Sequence, residues 1–266
     1  MIERGRRVPA VRADVRPPRS ASSRPAPGRR RPRRRHPVRA IARLVITLVV
    51  VAAVIGAAFT FVVPSAADAE TRTAELAASR GVSASTAVPP SRVADALIAT
   101  EDARFRTNSG IDAAGVLRWA TGVVTGGTED AGGATIEQQL AKMLYTDGHR
   151  APVDQLEQVG LALKLNADFS KEQILRMYLD TAYFGHGYYG MSAASRGYFG
   201  TSAADLDWQQ AALLAGLVQA PTAYDPTVHP ALALSRRAHV LARLAATGYL
   251  TAGQASALAA TPLGLR

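Results

Sequence analysis

The chain has 266 residues, 48% of them hydrophobic, no cysteine, and a formal net charge of +10. The charge is confined to one end, because the first forty residues carry +12 and the rest of the chain carries −2. The basic isoelectric point therefore describes a terminal arm and excludes a basic nucleic-acid-binding domain as the body of the protein. The lack of cysteine excludes a fold that depends on disulfides.

Residues 1–40 form the first predicted element, an arm with fourteen arginines, no lysine and only two acidic side chains. Proline and serine fill the gaps, and such a composition cannot bury enough apolar surface to fold. We predict a disordered cytoplasmic arm. Its arginines could bind nucleic acid, but contact with anionic lipid headgroups is the simpler interpretation beside the apolar segment that follows.

Residues 41–63 are apolar throughout except for Arg43 and two threonines. At 1.5 Å per residue a helix of this length crosses the roughly 30 Å hydrocarbon core, which predicts one transmembrane helix. Arginines crowd its N-terminal flank, so the positive-inside rule places the arm in the cytoplasm and the rest of the chain outside. The alternatives are a buried core helix and a cleaved signal peptide, and the apolar run is too long for the second.

Residues 64–90 are rich in Ala, Ser and Thr and predict a stalk or linker. From Ser91 onward the pattern is helical, with Ser91, Thr135 and Ser170 as candidate N-caps. Strand patterns are scarce and short. The sequence therefore predicts one mainly α-helical domain over residues 91–266, with helices at 91–101, 136–144, 154–165, 171–179, 208–218, 231–247 and 252–259.

The first motif whose side chains could take part in catalysis lies at the end of the 91–101 helix, where Glu101 precedes Asp102. Two adjacent carboxylates at a helix end are usually a solvated or capping surface. Here the apolar run before Glu101 and Phe105 after it predict a partly buried carboxyl, an environment that raises a glutamate pKa towards that of a useful general base. About thirty residues later a glycine turn opens a helix that carries two amides and a cation: Gln138, Gln139 and Lys142.

Together with later segments, these motifs resemble glycosyltransferase family 51. This family comprises the peptidoglycan glycosyltransferases, as in class A penicillin-binding proteins and monofunctional transglycosylases. The resemblance covers about residues 88–265 in order and nearly without gaps, and its segments are 101–105, 132–142, 154–158, 170–200 and 211–221. It implies a lysozyme-like, mainly α-helical glycosyltransferase domain with a membrane-proximal jaw.

The resemblance also implies roles for single residues. Glu101 would deprotonate the 4-hydroxyl of the acceptor sugar, and Asp102 would support it. Cations would stabilise the charge that builds on a pyrophosphate leaving group, and the residues at these positions are Arg118, Lys142, Arg150 and Arg196. The amides of Gln138 and Gln139 would bind sugar or peptide groups. A divalent cation such as Mg²⁺ could share the pyrophosphate charge, although no ligand cluster in the sequence indicates a site for it.

The third motif departs from the family pattern. Active members carry a second catalytic glutamate where this chain has Gln158, and basic residues within 154–157, where this chain has none. Gln158 cannot ionise, so Glu157 and Glu137 are the candidate substitutes. On this alignment Gln158→Glu is expected to raise activity. Asn108 also stands where the family usually has histidine.

These observations predict a single-pass membrane protein whose extracytoplasmic domain polymerises lipid II into glycan strands. The implied partners are lipid II, the growing strand, membrane lipids, and transpeptidases or other cell-wall synthases, with no nucleic acid. One alternative is an impaired relative that binds lipid II or synthases as a scaffold. Another is a lytic glycosidase of lysozyme-like fold, which the lysine-bearing second motif and the membrane anchor disfavour.

Overall fold

The computed structural model describes residues 63–85, 87–112, 134–149 and 151–266, together with isolated helical positions at 42–44, 46, 47 and 50. The chain divides into two compact units, Met1–Val51 and Ala52–Arg266, and the account below concerns the second. The predicted arm and nearly all of the predicted membrane span lie outside the described residues. Within the described residues, no helix has both the length and the apolarity that a membrane crossing requires.

The described part of the second unit is helical, as predicted. It has no strand, and its β-pairing is limited to an isolated antiparallel bridge between Tyr183 and Tyr189. A short 3₁₀ turn spans Ala203–Asp205. In chain order the helices are α1 Ala69–Ser79, α2 Ser91–Glu101, α3 Ile136–Tyr145, α4 Pro152–Asp168, α5 Lys171–Thr181, α6 Met191–Phe199, α7 Trp208–Leu217, α8 Pro230–Ala246 and α9 Ala252–Ala259.

Four of these helices begin with the same reciprocal cap. A Thr, Ser or Asp side chain accepts a hydrogen bond from the backbone N–H three residues later, and a glutamine at that later position bonds back to the cap N–H. This arrangement satisfies backbone donors that have no partner within the helix. The cap residues are Thr135, Ser170, Asp207 and Thr251. The predictions for Thr135 and Ser170 are confirmed.

Two expectations for the start of the domain need correction. Pro90, and not Ser91, is the N-cap of α2, and the Ser91 side chain makes no capping hydrogen bond. Helix α1 lies inside the segment 64–90 that was predicted to be a stalk. Its small side chains Ala69, Thr73 and Ala77 are buried, and it packs against α5 and α3. Small residues that suggested a linker instead allow close helix packing.

The core is built around α7, in which every residue from Ala211 to Leu217 is buried. A helix that is apolar on all sides must be enclosed, and α7 is covered by α2 and α8. A second layer packs α3 against α4 and α5. Glycine permits one close contact in this layer, because Gly110 has a φ of +96° and a Cβ there would clash with the Ala162 carbonyl of α4. These contacts place the C-terminus of α2 beside the N-terminus of α3.

Candidate functional site

Glu101 is the last residue of α2. Its side chain is 14% exposed, and Arg236 Nη2 on α8 lies 3.0 Å from Glu101 Oε1. Burial raises the pKa of the Glu101 carboxyl, while the charge of Arg236 and hydrogen bonds from Gln139 and Arg236 oppose that rise. The partial burial predicted from the apolar run is therefore present, and the carboxyl has a cationic partner that was not predicted.

Arg236 is itself held in place. Its Nε donates a 3.2 Å hydrogen bond to the carbonyl of Gly216 on α7, and its guanidinium carbon lies 5.8 Å from the centre of the Tyr224 ring. No local signal marked this residue, because it is separated from Glu101 by 135 positions. The pairing arises only when α8 packs against α2.

Tyr178 and Gln139 complete the described surroundings of Glu101. The Tyr178 hydroxyl on α5 donates a 2.9 Å hydrogen bond to Gln139 Oε1, and Gln139 Nε2 lies 3.0 Å from the Ala134 carbonyl. Burial, and then the charge of Glu101, raise the pKa of Tyr178, so its hydroxyl stays neutral. These contacts fix the amide of Gln139, a predicted substrate-binding residue, beside the carboxyl.

Asp102 points to a different set of partners. Its Oδ2 accepts a 2.8 Å hydrogen bond from Asn108 Nδ2 and lies 3.4 Å from the backbone N–H of Ile136, the first residue of α3. Burial, and then the charge of Glu137, raise the pKa of Asp102 to about 6. Asp102 therefore links the segment after α2 to the start of α3.

Glu137 belongs to this buried cluster and not to the surroundings of Glu101. Its side chain is fully buried, and its Oε1 lies 2.5 Å from Lys171 Nζ. The same ammonium donates a 2.9 Å hydrogen bond to Asn108 Oδ1 and lies 4.7 Å from the centre of the Phe105 ring. The geometry therefore disfavours Glu137 as a substitute for the second acid that the resemblance implies. Asn108, which stands where the family usually has histidine, and Glu137 instead share one lysine.

The raised pKa of Asp102 gives a testable dependence of stability on pH. An aspartate that titrates near 3.8 when unfolded and at about 6 when folded stabilises the fold fully below pH 4, and this contribution is lost as the pH rises through 6. The loss is about 2 to 3 kcal/mol. We expect Asp102→Asn to gain stability relative to the parent between pH 4 and pH 7, measured by urea unfolding. A pH-independent difference between the two proteins would contradict the assignment.

Gln158 lies on α4 and is 8% exposed. Its amide nitrogen donates two hydrogen bonds. Nε2 donates a 2.8 Å hydrogen bond to Thr146 Oγ1 and a 3.0 Å hydrogen bond to the His149 carbonyl. The amide therefore ties α4 to the turn after α3. Glu157, the other candidate substitute, is partly buried on the same helix but lies about 100° around the axis from Gln158.

This geometry changes the expected result of Gln158→Glu. The His149 carbonyl can only accept a hydrogen bond, so a carboxylate at 158 loses that bond and places two acceptor oxygens in contact. We expect a loss of about 1 to 3 kcal/mol in unfolding free energy and no rise in activity. Gln155→Glu, an exposed change on the same helix, is the matched control for thermal unfolding. A rise in activity would restore the interpretation of Gln158 as a simple lost acid.

The remaining predicted residues are spread over several places. Gln138 is used in the cap of α3, because its Oε1 accepts a 2.9 Å hydrogen bond from the Thr135 N–H. Lys142 is partly buried on the same helix. Arg196 is exposed on α6, where it lines two cavities together with Ser85 and Ser192, and it is not among the contacts of Glu101. Arg118 and Arg150 lie outside the described residues.

The resemblance also implied that a divalent cation such as Mg²⁺ could share the charge of the pyrophosphate. In the part of the chain that the structure describes, no group of three or more His, Asp or Glu side chains could hold a metal ion. The carboxylates of Asp102 and Glu137, which influence each other electrostatically, already bond to Asn108 and Lys171. The described residues therefore do not form a metal site, and no step below depends on one.

Comparison with known proteins places most of the chain in a family. The transglycosylase family model matches residues 69–245. Penicillin-binding protein 1F of Bacillus subtilis (strain 168) is 39% identical over 176 residues, 66% of this chain and 25% of that protein. Penicillin-binding protein 1A of Aquifex aeolicus (strain VF5) is 39% identical over 177 residues, 66% and 24%. A crystal structure of penicillin-binding protein 1A from Haemophilus influenzae is 31% identical, covers 36% of this chain and 14% of that one, and has a TM-score of 0.35.

The matched region begins at the first residue of α1 and includes Glu101, Gln158 and Arg236. It therefore assigns α1 to the same domain as the candidate site. The chain spans about a quarter of the length of the two curated relatives.

Proposed function

Because this chain belongs to the transglycosylase family, glycosyltransferase family 51, we propose that it is a peptidoglycan glycosyltransferase that polymerises lipid II. The observation that carries the proposal is the Glu101 carboxyl, 14% exposed and 3.0 Å from Arg236 at the end of α2. A carboxyl that is desolvated yet paired with a cation can stay ionised and still be basic enough to take a proton. Glu101 is the general base of the proposed reaction.

In the proposed reaction, Glu101 takes the proton of the 4-hydroxyl of the acceptor sugar. The hydroxyl oxygen forms a bond to the anomeric carbon of the donor, and the bond from that carbon to the pyrophosphate oxygen breaks. Undecaprenyl pyrophosphate leaves with the electron pair, and the anomeric configuration inverts. The proton remains on Glu101 until it passes to solvent, so the charges and atoms balance.

Fixed cations are needed at the pyrophosphate, because negative charge builds there as the bond breaks. We assign this role to Lys142, with Arg118 and Arg150 as further candidates from the family motifs. Gln139 is the candidate donor to the sugar or peptide of the substrate. The surrounding helices are consistent with a lysozyme-like arrangement, and the apolar segment at 41–63 supports a membrane-anchored, extracytoplasmic domain.

The altered third motif favours one second candidate, a scaffold that binds lipid II or other synthases without polymerising. The observation behind it is the double hydrogen bond from Gln158 to Thr146 and His149, which gives position 158 a structural use in place of an acidic one. We nevertheless favour an enzyme, since the base and Lys142 are retained.

The deciding experiment uses the full chain in detergent with labelled lipid II. Polymer formation supports the glycosyltransferase, and binding without polymer supports the scaffold. Cleavage of preformed glycan strands without polymer formation points to a lytic glycosidase. A chain that neither binds lipid II nor acts on it contradicts the proposed function altogether.

A further inference from the structure

Arg236 is the cation paired with the proposed base, and its own contacts restrict where its guanidinium can lie. Its side chain is 9% exposed, so its charge is largely removed from water. Three groups surround the guanidinium: the Glu101 carboxyl at 3.0 Å, the Gly216 carbonyl at 3.2 Å and the Tyr224 ring. A guanidinium held from three directions cannot follow a mobile carboxylate, and it therefore fixes the position of Glu101.

Among the residues that the structure describes, Arg236 is the cation whose charge and hydrogen bond oppose the effect of burial on Glu101. Helix α7 carries no ionisable side chain, and the Tyr178 hydroxyl of α5 stays neutral. Six further charged side chains on α2, α3 and α8 or next to them have partners other than Glu101: Arg92 bonds to the Leu206 carbonyl, Asp95 to Arg106, Asp102 to Asn108, Glu137 to Lys171, Arg237 to the Pro262 carbonyl and Arg243 to the Ala99 carbonyl.

A general base must be ionised and must also be basic enough to take a proton, and burial affects these two requirements in opposite directions. Burial favours the neutral carboxyl, which cannot take a proton, whereas full solvation would leave a weakly basic carboxylate. A cation at hydrogen-bond distance keeps the carboxyl ionised without exposing it to water. The Arg236–Glu101 contact meets both requirements in a single side-chain pair.

We infer that Arg236 is a positioning residue that keeps the buried Glu101 carboxyl ionised and fixed at the end of α2. The inference rests on the proposed function for its role in turnover, but the effect of Arg236 on Glu101 holds whether or not the chain polymerises lipid II. After proton transfer, Glu101 is neutral and the positive charge of Arg236 is no longer balanced. Release of the proton to solvent restores the pair.

The test compares Arg236→Met and Arg236→Lys with Arg243→Met in the full chain in detergent. Arg243 lies two turns further along α8 and donates to the Ala99 carbonyl of α2, so its variant removes an equivalent cation that does not touch Glu101. Carboxyl ¹³C NMR of glutamate-labelled protein follows the titration of Glu101, assigned with Glu101→Gln. Thermal unfolding checks that each variant is folded, and Arg236→Lys keeps the charge should Arg236→Met fail to fold.

We expect the Glu101 titration midpoint to rise by about one pH unit or more in Arg236→Met, to rise less in Arg236→Lys, and to stay unchanged in Arg243→Met. The acidic limb of the polymerisation rate should move with it, lowering kcat about tenfold below the new midpoint with little change in KM. An unmoved midpoint in Arg236→Met, or an equal shift in Arg243→Met, overturns the inference. If the midpoint shifts in Arg236→Met but the parent chain makes no polymer, the inference stands and the proposed function is refuted.

Discussion

Glu101→Gln is expected to lower lipid II polymerisation by about 10²- to 10⁴-fold, the contribution of a general base. Glutamine keeps the shape of the side chain, and its carbonyl oxygen can still accept the hydrogen bond from Arg236. It cannot take a proton from the acceptor sugar. Single-turnover assays with labelled lipid II measure the loss, and a filter-binding assay should show that lipid II binding is nearly retained.

Two further variants make this result specific. Glu172→Gln removes an exposed carboxylate whose contact is with Arg106, and we expect it to leave the rate unchanged. Glu157→Gln tests the remaining candidate acid on α4. Near-parent activity in Glu101→Gln, together with a large loss in Glu157→Gln, would transfer the role of base to Glu157 and imply a shifted α4.

The local features of the fold follow from short stretches of sequence. The cap at Thr135 depends on Gln138 three residues later, and the burial of Glu101 follows from the apolar run before it. Such signals involve contacts within one or two turns. The predicted helices differ from the observed ones mainly at their ends. Helix α4, predicted over 154–165, begins at Pro152 and ends at Asp168.

The contacts that define the site could not be predicted in this way. Arg236 meets Glu101 across 135 positions, and Lys171 meets Glu137 across 34. Each pairing depends on which helices pack together, and an arginine or lysine on an amphipathic helix gives no sign of its partner. Gln158 shows the same limit, since the sequence indicates only that position 158 cannot ionise, whereas the fold shows the two acceptors that its amide bonds to.

The buried pair of Lys171 and Glu137 is linked through Asn108 to Asp102, the residue next to the proposed base. Glu137 is fully buried, and its Oε2 has no hydrogen-bond partner among the described residues. Lys171 supplies its counter-charge and also holds Asn108, which in turn bonds to Asp102. The segment that follows Glu101 is therefore anchored through one ammonium group.

Lys171→Met is expected to destabilise the domain by about 3 to 5 kcal/mol, because it leaves Glu137 buried without a counter-charge. For a domain of this size the corresponding fall in Tm is roughly 10 °C. Lys164→Met is the matched control, since the Lys164 ammonium bonds to the Val63 carbonyl and not to a buried carboxylate. Adding Glu137→Met to Lys171→Met should recover most of the lost stability, as an apolar pair of similar volume replaces the ion pair. Additive losses in this double-mutant cycle would show that the two side chains are not coupled and would contradict the ion pair as the source of the stability.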